Sequence, residues 1–234
     1  MIKISIIVPV YKEFNNIEKL YLKIRKYLKD ITYEVIFVDD SSNDGTEELL
    51  KKIKKRYKNF NFIIRKKNRD LTQSCFEGIR KAKHDYIQIM DGDLQHNPKY
   101  IINLMNTLVN DNSDLVVGGR DLINGKNPGL GIIRRLSSIL IIFVFYLFEK
   151  KTIDPMSGFF LFKKNIYFEN KKYFFGKGYK ILADILFNSK SKIKVSDYII
   201  IFDRRFKDKS KMNFKTLFNL AKLYLNVLKK KTFN

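Results

Sequence analysis

Two carboxylates one residue apart, Asp91 and Asp93, are the residues of this chain whose types and spacing most directly suggest chemistry. Carboxylate oxygens are hard ligands that suit Mg²⁺ or Mn²⁺, and such ions commonly bridge carboxylates to the phosphates of a substrate. Gln95 adds a side-chain oxygen, and Gly92 lets the backbone approach a bound diphosphate closely. An isolated Asp-Gly-Asp is also an ordinary turn after a strand, so the surrounding pattern has to decide between the two interpretations.

Asp91 follows a short segment of alternating apolar and polar residues, rich in strand-forming types, which predicts a strand over 85–90. Pro98 lies where a proline commonly opens a helix. Asp39 comes at the end of another predicted strand, over 33–40. Open α/β sheets bind ligands at the carboxyl ends of their strands, so we expect Asp39 and Asp91 to lie on one rim of the sheet.

Predicted strands and helices alternate along the first half of the chain, which is typical of right-handed crossovers and a mainly parallel α/β sheet. The predicted strands lie over 3–9, 33–40, 61–65, 85–90 and 114–120, and the helices lie over 16–29, a segment ending near 56, 71–82 and 98–110. The second half is less regular. Its predicted elements are strands over 158–162 and 193–202 and a helix over 178–188.

Two apolar segments of the second half suggest contact with a core or with a membrane surface. Residues 136–148 form an apolar run between charged residues, shorter than the roughly 20 residues that a spanning helix needs. It fits a buried helix or a helix lying in the membrane interface. Residues 213–228 place apolar side chains at helical spacing and end in Lys229–Lys231. This pattern indicates either a basic helix on a membrane surface or a helix packed on its own domain.

The chain is strongly basic, with a net charge of +22 from 46 Lys and Arg against 24 Asp and Glu. Such a charge suits nucleic acid, an anionic membrane or phosphorylated ligands, but the lysines are spread along the chain and no nucleic-acid module is present. A single cysteine, Cys75, excludes an internal disulfide framework and suits a reducing compartment. No signal peptide is visible at the beginning of the sequence.

Taken together, six motifs resemble the inverting family 2 glycosyltransferases of the GT-A fold. Within them, the chain is most similar to polyprenyl-phosphate glycosyltransferases of the dolichol-phosphate mannose synthase type. The motifs lie at 8–13, 38–46, 91–98, 154–160, 178–182 and 205–211, in the order expected for that family. The most specific of them are Asp91-Gly-Asp-Leu-Gln-His-Asn-Pro98 and Asp154-Pro-Met-Ser-Gly-Phe-Phe160. The resemblance implies a GT-A catalytic domain over 1–212, with a mainly parallel sheet flanked by helices, and a basic amphipathic helix over 213–234.

The resemblance also implies roles for individual residues. Those matching the base and ribose site are Pro9, Tyr11, Glu13 and Asp39, and Lys180 is grouped with them in donor binding. Those matching the metal and diphosphate site are Asp91, Asp93 and Gln95. Those matching positions around the two phosphate groups are Arg120, Arg134, Arg205, Ser210 and Lys211. Ser157 lies in the acceptor-side loop that Asp154 begins, and His96 is interpreted as a packing or hydrogen-bonding residue.

The implied reaction is transfer of a sugar, with inversion, from a nucleotide diphosphate sugar of the GDP-mannose or UDP-glucose type to a polyprenyl or dolichyl phosphate. A phosphate monoester carries about −1.5 to −2 charge near pH 7, so this nucleophile needs no strong catalytic base. The expected cofactor is Mg²⁺ or Mn²⁺. The expected location is the cytoplasmic face of a membrane, without a transmembrane helix. The chain is expected to attach there by contact with the membrane surface or with a small membrane-protein partner. Nucleic acid is not an expected partner.

Two departures from the family pattern stand in loops. Asp70 occupies a position where glycine is common, and Asp208-Lys209 precedes Ser210-Lys211 where the family usually has Gly-Glu. We expect an active enzyme with altered loop behaviour. The alternatives are a family 2 transferase acting on a saccharide hydroxyl and a non-catalytic membrane-binding or nucleic-acid-binding protein on the same scaffold. The sugar, the nucleotide, the lipid length, the ion and the oligomeric state stay open.

Overall fold

The computed structural model describes residues 2–66, 68–120, 152–178 and 180–203. Seven strands in this part of the chain form one sheet in the order β3-β2-β1-β4-β6-β5-β7. The strands are β1 Ile4–Val10, β2 Tyr33–Asp39, β3 Phe60–Ile64, β4 Tyr86–Ile89, β5 Leu115–Gly119, β6 Phe160–Lys163 and β7 Val195–Ile199. The helices are α1 Phe14–Tyr27, α2 Thr46–Arg56, α3 Leu71–Lys81, α4 Tyr100–Asn110, α5 Asn165–Asn170 and α6 Ile181–Asn188.

The sheet is mainly parallel, which confirms the predicted α/β fold class. β1 pairs in parallel with β2 and β4, β2 pairs in parallel with β3, and β5 pairs in parallel with β7. β6 is the antiparallel strand, and it lies between β4 and β5. All seven residues of β1 are buried, as expected for a nearly continuous apolar run in the middle of a sheet with two covered faces.

Helices cover both faces of the sheet and divide the core in two. One cluster of buried side chains joins the sheet to α1, α2 and α4, and the other joins it to α3, α5 and α6. Alternate residues of β1 show the division, because Ile6 and Val8 belong to the first cluster and Ile7 to the second. The carboxyl ends of the parallel strands meet at one edge of the sheet, here called the rim, where the loops that follow these strands lie.

Several boundaries differ from the predicted ones for local reasons. The predicted helix over 178–188 begins at Ile181, because Gly178 has a left-handed φ of 95° that an α-helix does not use. The predicted strand over 158–162 begins at Phe160, after a tight loop, and the strand over 193–202 covers only Val195–Ile199. Helix α5 was not predicted, since six residues are too few to show a clear helical period.

The two apolar segments at 136–148 and 213–228 lie outside the described residues, as does the boundary expected near 212. Among the helices that the structure describes, none is both long and apolar enough to span a bilayer.

Candidate active site

Four strands bring the predicted site residues to one edge of the sheet. In the register of β1 with β2, Pro9 lies opposite Val38 and Val10 opposite Asp39. β4 ends beside β1, where the amide of Met90 donates to the carbonyl of Ile7 at 3.1 Å, and Asp91 follows directly. Arg120 follows β5. Because β6 runs the other way, its first residues, rather than its last, reach this rim.

The loop after β4 is held by the buried side chain of His96. The backbone amide of Asp91 donates to His96 Nδ1 at 3.2 Å, so this ring nitrogen carries no proton. Burial lowers the pKa of His96, which also favours the neutral ring. The ring packs between Phe159 and Phe202, with centroid distances of 5.1 and 5.0 Å. His96 therefore packs and hydrogen-bonds, in agreement with the interpretation from sequence.

The oxygens of Asp91, Asp93 and Gln95 are partly exposed at the rim. Asp93 Oδ1 accepts from the amide of Gln95 at 3.1 Å, which folds the short segment back on itself. A side chain at Gly158 has no room, because its Cβ would lie 2.6 Å from one carboxylate oxygen of Asp91 and 2.8 Å from the other. The glycine thus lets the acceptor-side loop lie directly against Asp91.

This donor set fits a divalent ion that shares its coordination with a substrate. The described residues contain no group of three or more His, Cys, Asp or Glu side chains close enough to hold a metal by themselves. Two carboxylates and an amide, all hard oxygen donors, leave positions for water and for diphosphate oxygens, as Mg²⁺ sites commonly do. Asp91, Asp93 and Gln95 are the residues that would hold such an ion.

At the other end of the rim, Asp39 presents a buried acceptor that the described part of the chain does not satisfy. Its side chain is only about 1% exposed, and Oδ2 accepts from the amide of Ser42 at 3.1 Å. Oδ1 has no hydrogen-bond partner among the described residues. Burial raises the pKa of this carboxyl. Since an unsatisfied buried acceptor is costly, its position fits a ligand that brings an N–H or O–H donor.

Tyr11 and Glu13 lie just beyond β1, near Asp39. The guanidinium of Arg69 stacks on the Tyr11 ring, 4.2 Å from its centroid. Glu13 stands at the N-cap of α1 and its carboxylate accepts from the Asn16 side chain at 2.6 Å. Arg69 was not identified from the sequence, because nothing in its local pattern indicates a contact with an aromatic ring 58 residues earlier in the chain.

Arg120 is fixed by Asp154 and by an aromatic ring. Its Nε donates to Asp154 Oδ2 at 3.0 Å, and its guanidinium lies 5.0 Å from the centroid of Phe202. Asp154 is almost fully buried, and its carbonyl accepts from the amide of Ser157, so it also makes the expected turn. The sequence identified both residues but not their pairing, which joins segments 34 residues apart.

Ser157 and Lys180 line a cleft of about 70 Å³ together with Pro9, Asp91 and the first turns of α3 and α6. The Ser157 hydroxyl donates to the carbonyl of Gly118 at 2.7 Å and accepts from the amide of Phe159 at 3.0 Å. These bonds favour a positioning role for Ser157. Lys180 Nζ lies 3.5 Å from the carbonyl oxygen of Met156. The other predicted phosphate-binding residues, Arg134, Arg205, Ser210 and Lys211, lie outside the described residues.

A mainly parallel α/β sheet with an Asp-x-Asp segment at its carboxyl rim defines a class of nucleotide-dependent transferase folds. Residues 5–170 match the sequence profile of "Glycosyl transferase family 2". The chain belongs to this family of glycosyltransferases, which confirms the family predicted from its motifs.

Named relatives agree with this membership, and a solved structure of low sequence identity shares the fold. The chain is 33% identical over 230 residues to a dolichol-phosphate mannosyltransferase of Pyrococcus furiosus, covering 97% of this chain and 64% of that protein. It is 33% identical over 198 residues to the enzyme of that name from Saccharomyces cerevisiae, covering 79% and 70% of the two chains. Glucosyl-3-phosphoglycerate synthase of Mycobacterium tuberculosis, in complex with Mn²⁺ and UDP-glucose, shares the fold with a TM-score of 0.71, 15% identity and coverage of 97% and 77%.

Proposed function

We propose that the chain transfers a sugar from a nucleotide diphosphate sugar to a dolichyl or other polyprenyl phosphate. The observation that carries the proposal is the contact between the loop of Asp91 and the loop of residues 154–158, with Gly158 against the Asp91 carboxylate. This contact places the carboxylate of Asp91, which could bind a divalent ion, next to the segment whose Asp154 binds Arg120. The P. furiosus and S. cerevisiae relatives carry the name of this activity, and the chain spans about two thirds of the length of the first.

The donor is proposed to lie along the rim from Asp39 to Asp91. The unpaired oxygen of Asp39 would accept a hydrogen bond from the base, and Tyr11, held by Arg69, would stack at its side. The diphosphate would then reach Asp91, Asp93 and Gln95. A divalent ion bound there would supply positive charge to the diphosphate that leaves, a contribution worth several kcal/mol. The M. tuberculosis synthase binds Mn²⁺ with UDP-glucose, which supports a divalent ion in this fold.

The acceptor phosphate is proposed to meet the guanidinium of Arg120. Asp154 accepts from Nε, and the two terminal nitrogens of the guanidinium would donate to the phosphate as a fork. A phosphate oxygen attacks the anomeric carbon on the face opposite the diphosphate. The bond from that carbon to the diphosphate oxygen breaks, and the nucleoside diphosphate leaves with the bonding electrons. Because the phosphate is already ionised, positioning and charge compensation replace a catalytic base.

The same proposal includes attachment at the cytoplasmic face of a membrane, where a lipid phosphate would be presented. The strong positive charge of the chain supports it, since each Lys or Arg near an anionic lipid surface is worth roughly 1 kcal/mol. The segments expected to contact lipid, 136–148 and 213–228, and a small membrane-protein partner remain part of the proposal.

The test incubates the full chain with a short polyprenyl phosphate and Mg²⁺ or Mn²⁺, with GDP-mannose and UDP-glucose in parallel. We expect lipid-linked sugar from one donor, lost with a chelator and reduced at least about 100-fold in Asp93→Ala. Asp85→Ala, at the opposite end of β4, is the matched carboxylate control and should retain activity.

Two outcomes would contradict the proposal. Transfer to a saccharide hydroxyl, with none to the lipid phosphate, would replace the acceptor. Failure of the full chain to bind either nucleotide in the presence of the ion would remove the transferase assignment altogether.

A further inference from the structure

Several backbone groups of residues 175–178 are hydrogen-bonded to α6, to α3 and to the N-cap residue of α3, Asp70. The amide of Gly176 donates to Asp184 Oδ2 at 2.7 Å, and its carbonyl accepts from Gln73 Nε2 at 2.5 Å. The amide of Gly178 donates to Asp70 Oδ2 at 2.7 Å, and its carbonyl accepts from both the amide and the hydroxyl of Thr72 at 3.0 Å. The contacts of this loop with Asp70, Thr72 and Gln73, at the start of α3, are called the clasp below.

Asp70 is the member of the clasp that joins the two sides through its carboxylate. One oxygen, Oδ1, caps α3 by accepting from the amide of Gln73 at 3.0 Å, and the other accepts from Gly178, 108 residues further along the chain. The backbone of Asp70 is itself fixed, because its amide donates to Asp40 at 2.7 Å and its carbonyl accepts from Arg65 at 3.2 Å. These bonds therefore fix the position of the carboxylate relative to α3.

The local backbone does not require an aspartate at this position. Asp70 has φ −159° and ψ 119°, an extended conformation open to most residues. The helix cap uses only one carboxylate oxygen, and an asparagine caps a helix about as well. What an asparagine lacks is a second acceptor for Gly178. The feature that distinguishes aspartate from asparagine here is therefore the second oxygen, which binds the loop.

The loop leads straight into the wall of the cleft. Lys180 follows two residues after Gly178, and Lys180, Ile181 and Leu182 line the cleft opposite Asp91. Leu71 and Cys75 of α3 line it as well. The clasp consequently sets the distance between α3 and α6, which border the cleft. It also fixes the position of the Lys180 backbone at the wall of the cleft.

We propose that Asp70 is a positioning residue for sugar transfer: through Gly178 it holds Lys180 and the α6 side of the cleft in place beside Asp91. This inference rests on the proposed transferase function. The inference goes beyond that function, because Asp70 contacts neither the donor nor the acceptor. The backbone bonds of Asp70 to Asp40 and Arg65, which connect it to the nucleotide end of the rim, do not depend on its carboxylate. The effect of the carboxylate is therefore expected on the Lys180 side of the cleft and on the transfer step.

The test compares Asp70→Asn with the wild-type full chain. We expect kcat to fall about 10- to 100-fold, as for a misplacement of about 1 Å, with the KM for the donor nearly unchanged. The melting temperature should fall by a few degrees, because the buried amide of Gly178 loses its acceptor. Deuterium exchange should accelerate in the peptide spanning 174–180, and trypsin should cut faster after the exposed Lys177. Asp114→Asn, which loses a carboxylate at the far end of β5, is the matched control and should change neither kcat nor exchange at 174–180.

Gln73→Leu, which removes the side-chain bond from α3 to the carbonyl of Gly176, gives a second measurement should Asp70→Asn fold poorly. It should lower kcat in the same direction and accelerate the same exchange. An unchanged kcat, or a loss of kcat without faster exchange at 174–180, would overturn the proposal. If the wild type transfers no sugar, the transferase function has failed, while exchange and proteolysis still report whether Asp70 holds the loop.

Discussion

At the scale of single residues, the site depends on a glycine that contacts a carboxylate. The Cβ of an alanine at position 158 would lie within 2.9 Å of three atoms of the Asp91 carboxyl group, a separation that real Cβ atoms do not show. Gly158→Ala therefore has to move either Asp91 or the acceptor-side loop. We expect kcat to fall by about 100-fold, with the fold intact, since a displacement of about 1 Å near the chemistry has that effect. Steady-state transfer and circular dichroism measure the two quantities, and wild-type activity would refute the requirement.

Asp39 illustrates a residue whose ionised form destabilises the fold. Burial raises its pKa, so the folded protein binds this proton more tightly than the unfolded chain does. The ionised group lowers the free energy of unfolding above the raised pKa, and this penalty fades as the pH falls toward the unfolded value.

Asp39→Asn should therefore raise the melting temperature at pH 7, with a smaller gain near pH 4. It should also weaken nucleotide binding by about 10- to 100-fold, because a hydrogen bond to a charged group is lost. Thermal melts across pH and calorimetric titration test both effects. A variant that is less stable than wild type at pH 7 would contradict the explanation.

At the scale of elements, a buried guanidinium joins two strands to a helix. Arg65, directly after β3, forms ion pairs with Asp40 after β2 and with Glu77 of α3, the latter at 3.1 Å. Arg65→Met leaves the Asp40 carboxylate buried without its cation, which typically costs about 3–5 kcal/mol of unfolding free energy. Arg56→Met, which breaks an exposed pair with Glu18, should cost about 0–1 kcal/mol. Urea denaturation measures both, and equal losses would show that burial of the pair has little effect.

Elements with a strong local pattern are predictable, and elements defined by distant partners are not. The strands β1 to β5 were predicted because buried apolar runs between capping residues identify them, and so was the shared rim of Asp39 and Asp91. The antiparallel direction of β6 was not predicted, since a strand of four residues, three of them apolar, gives no information about its neighbours. The pairing of Arg120 with Asp154 and the contact of Asp70 with Gly178 were missed for the same reason. Sequence patterns identified Asp70 only as a departure from the family, whereas the structure gives it partners.

At the scale of the whole molecule, the net charge of +22 has a measurable consequence. The full chain should sediment with vesicles that contain anionic lipid and not with neutral vesicles, and salt should weaken this binding. Replacing Lys229–Lys231 with glutamine should reduce the binding. Replacing three other exposed lysines, Lys23 and Lys26 of α1 and Lys29 just after it, should affect the binding less. Equal losses in the two triple variants would show a diffuse attraction without a preferred segment.

The position of β6 also determines when the site can form during synthesis. Among the strands that the structure describes, β5 pairs with β6 and β7 and with none of the earlier ones. Residues 115–119 therefore leave the ribosome before any strand that can receive them, and the β4 edge stays open until residues 160–163 arrive. An open edge and pairing over a long sequence separation both slow folding and favour association with other chains. The nascent protein is thus most prone to misassembly after β5 has been synthesised and before β6 has. This is the stage at which binding of a chaperone would help folding most.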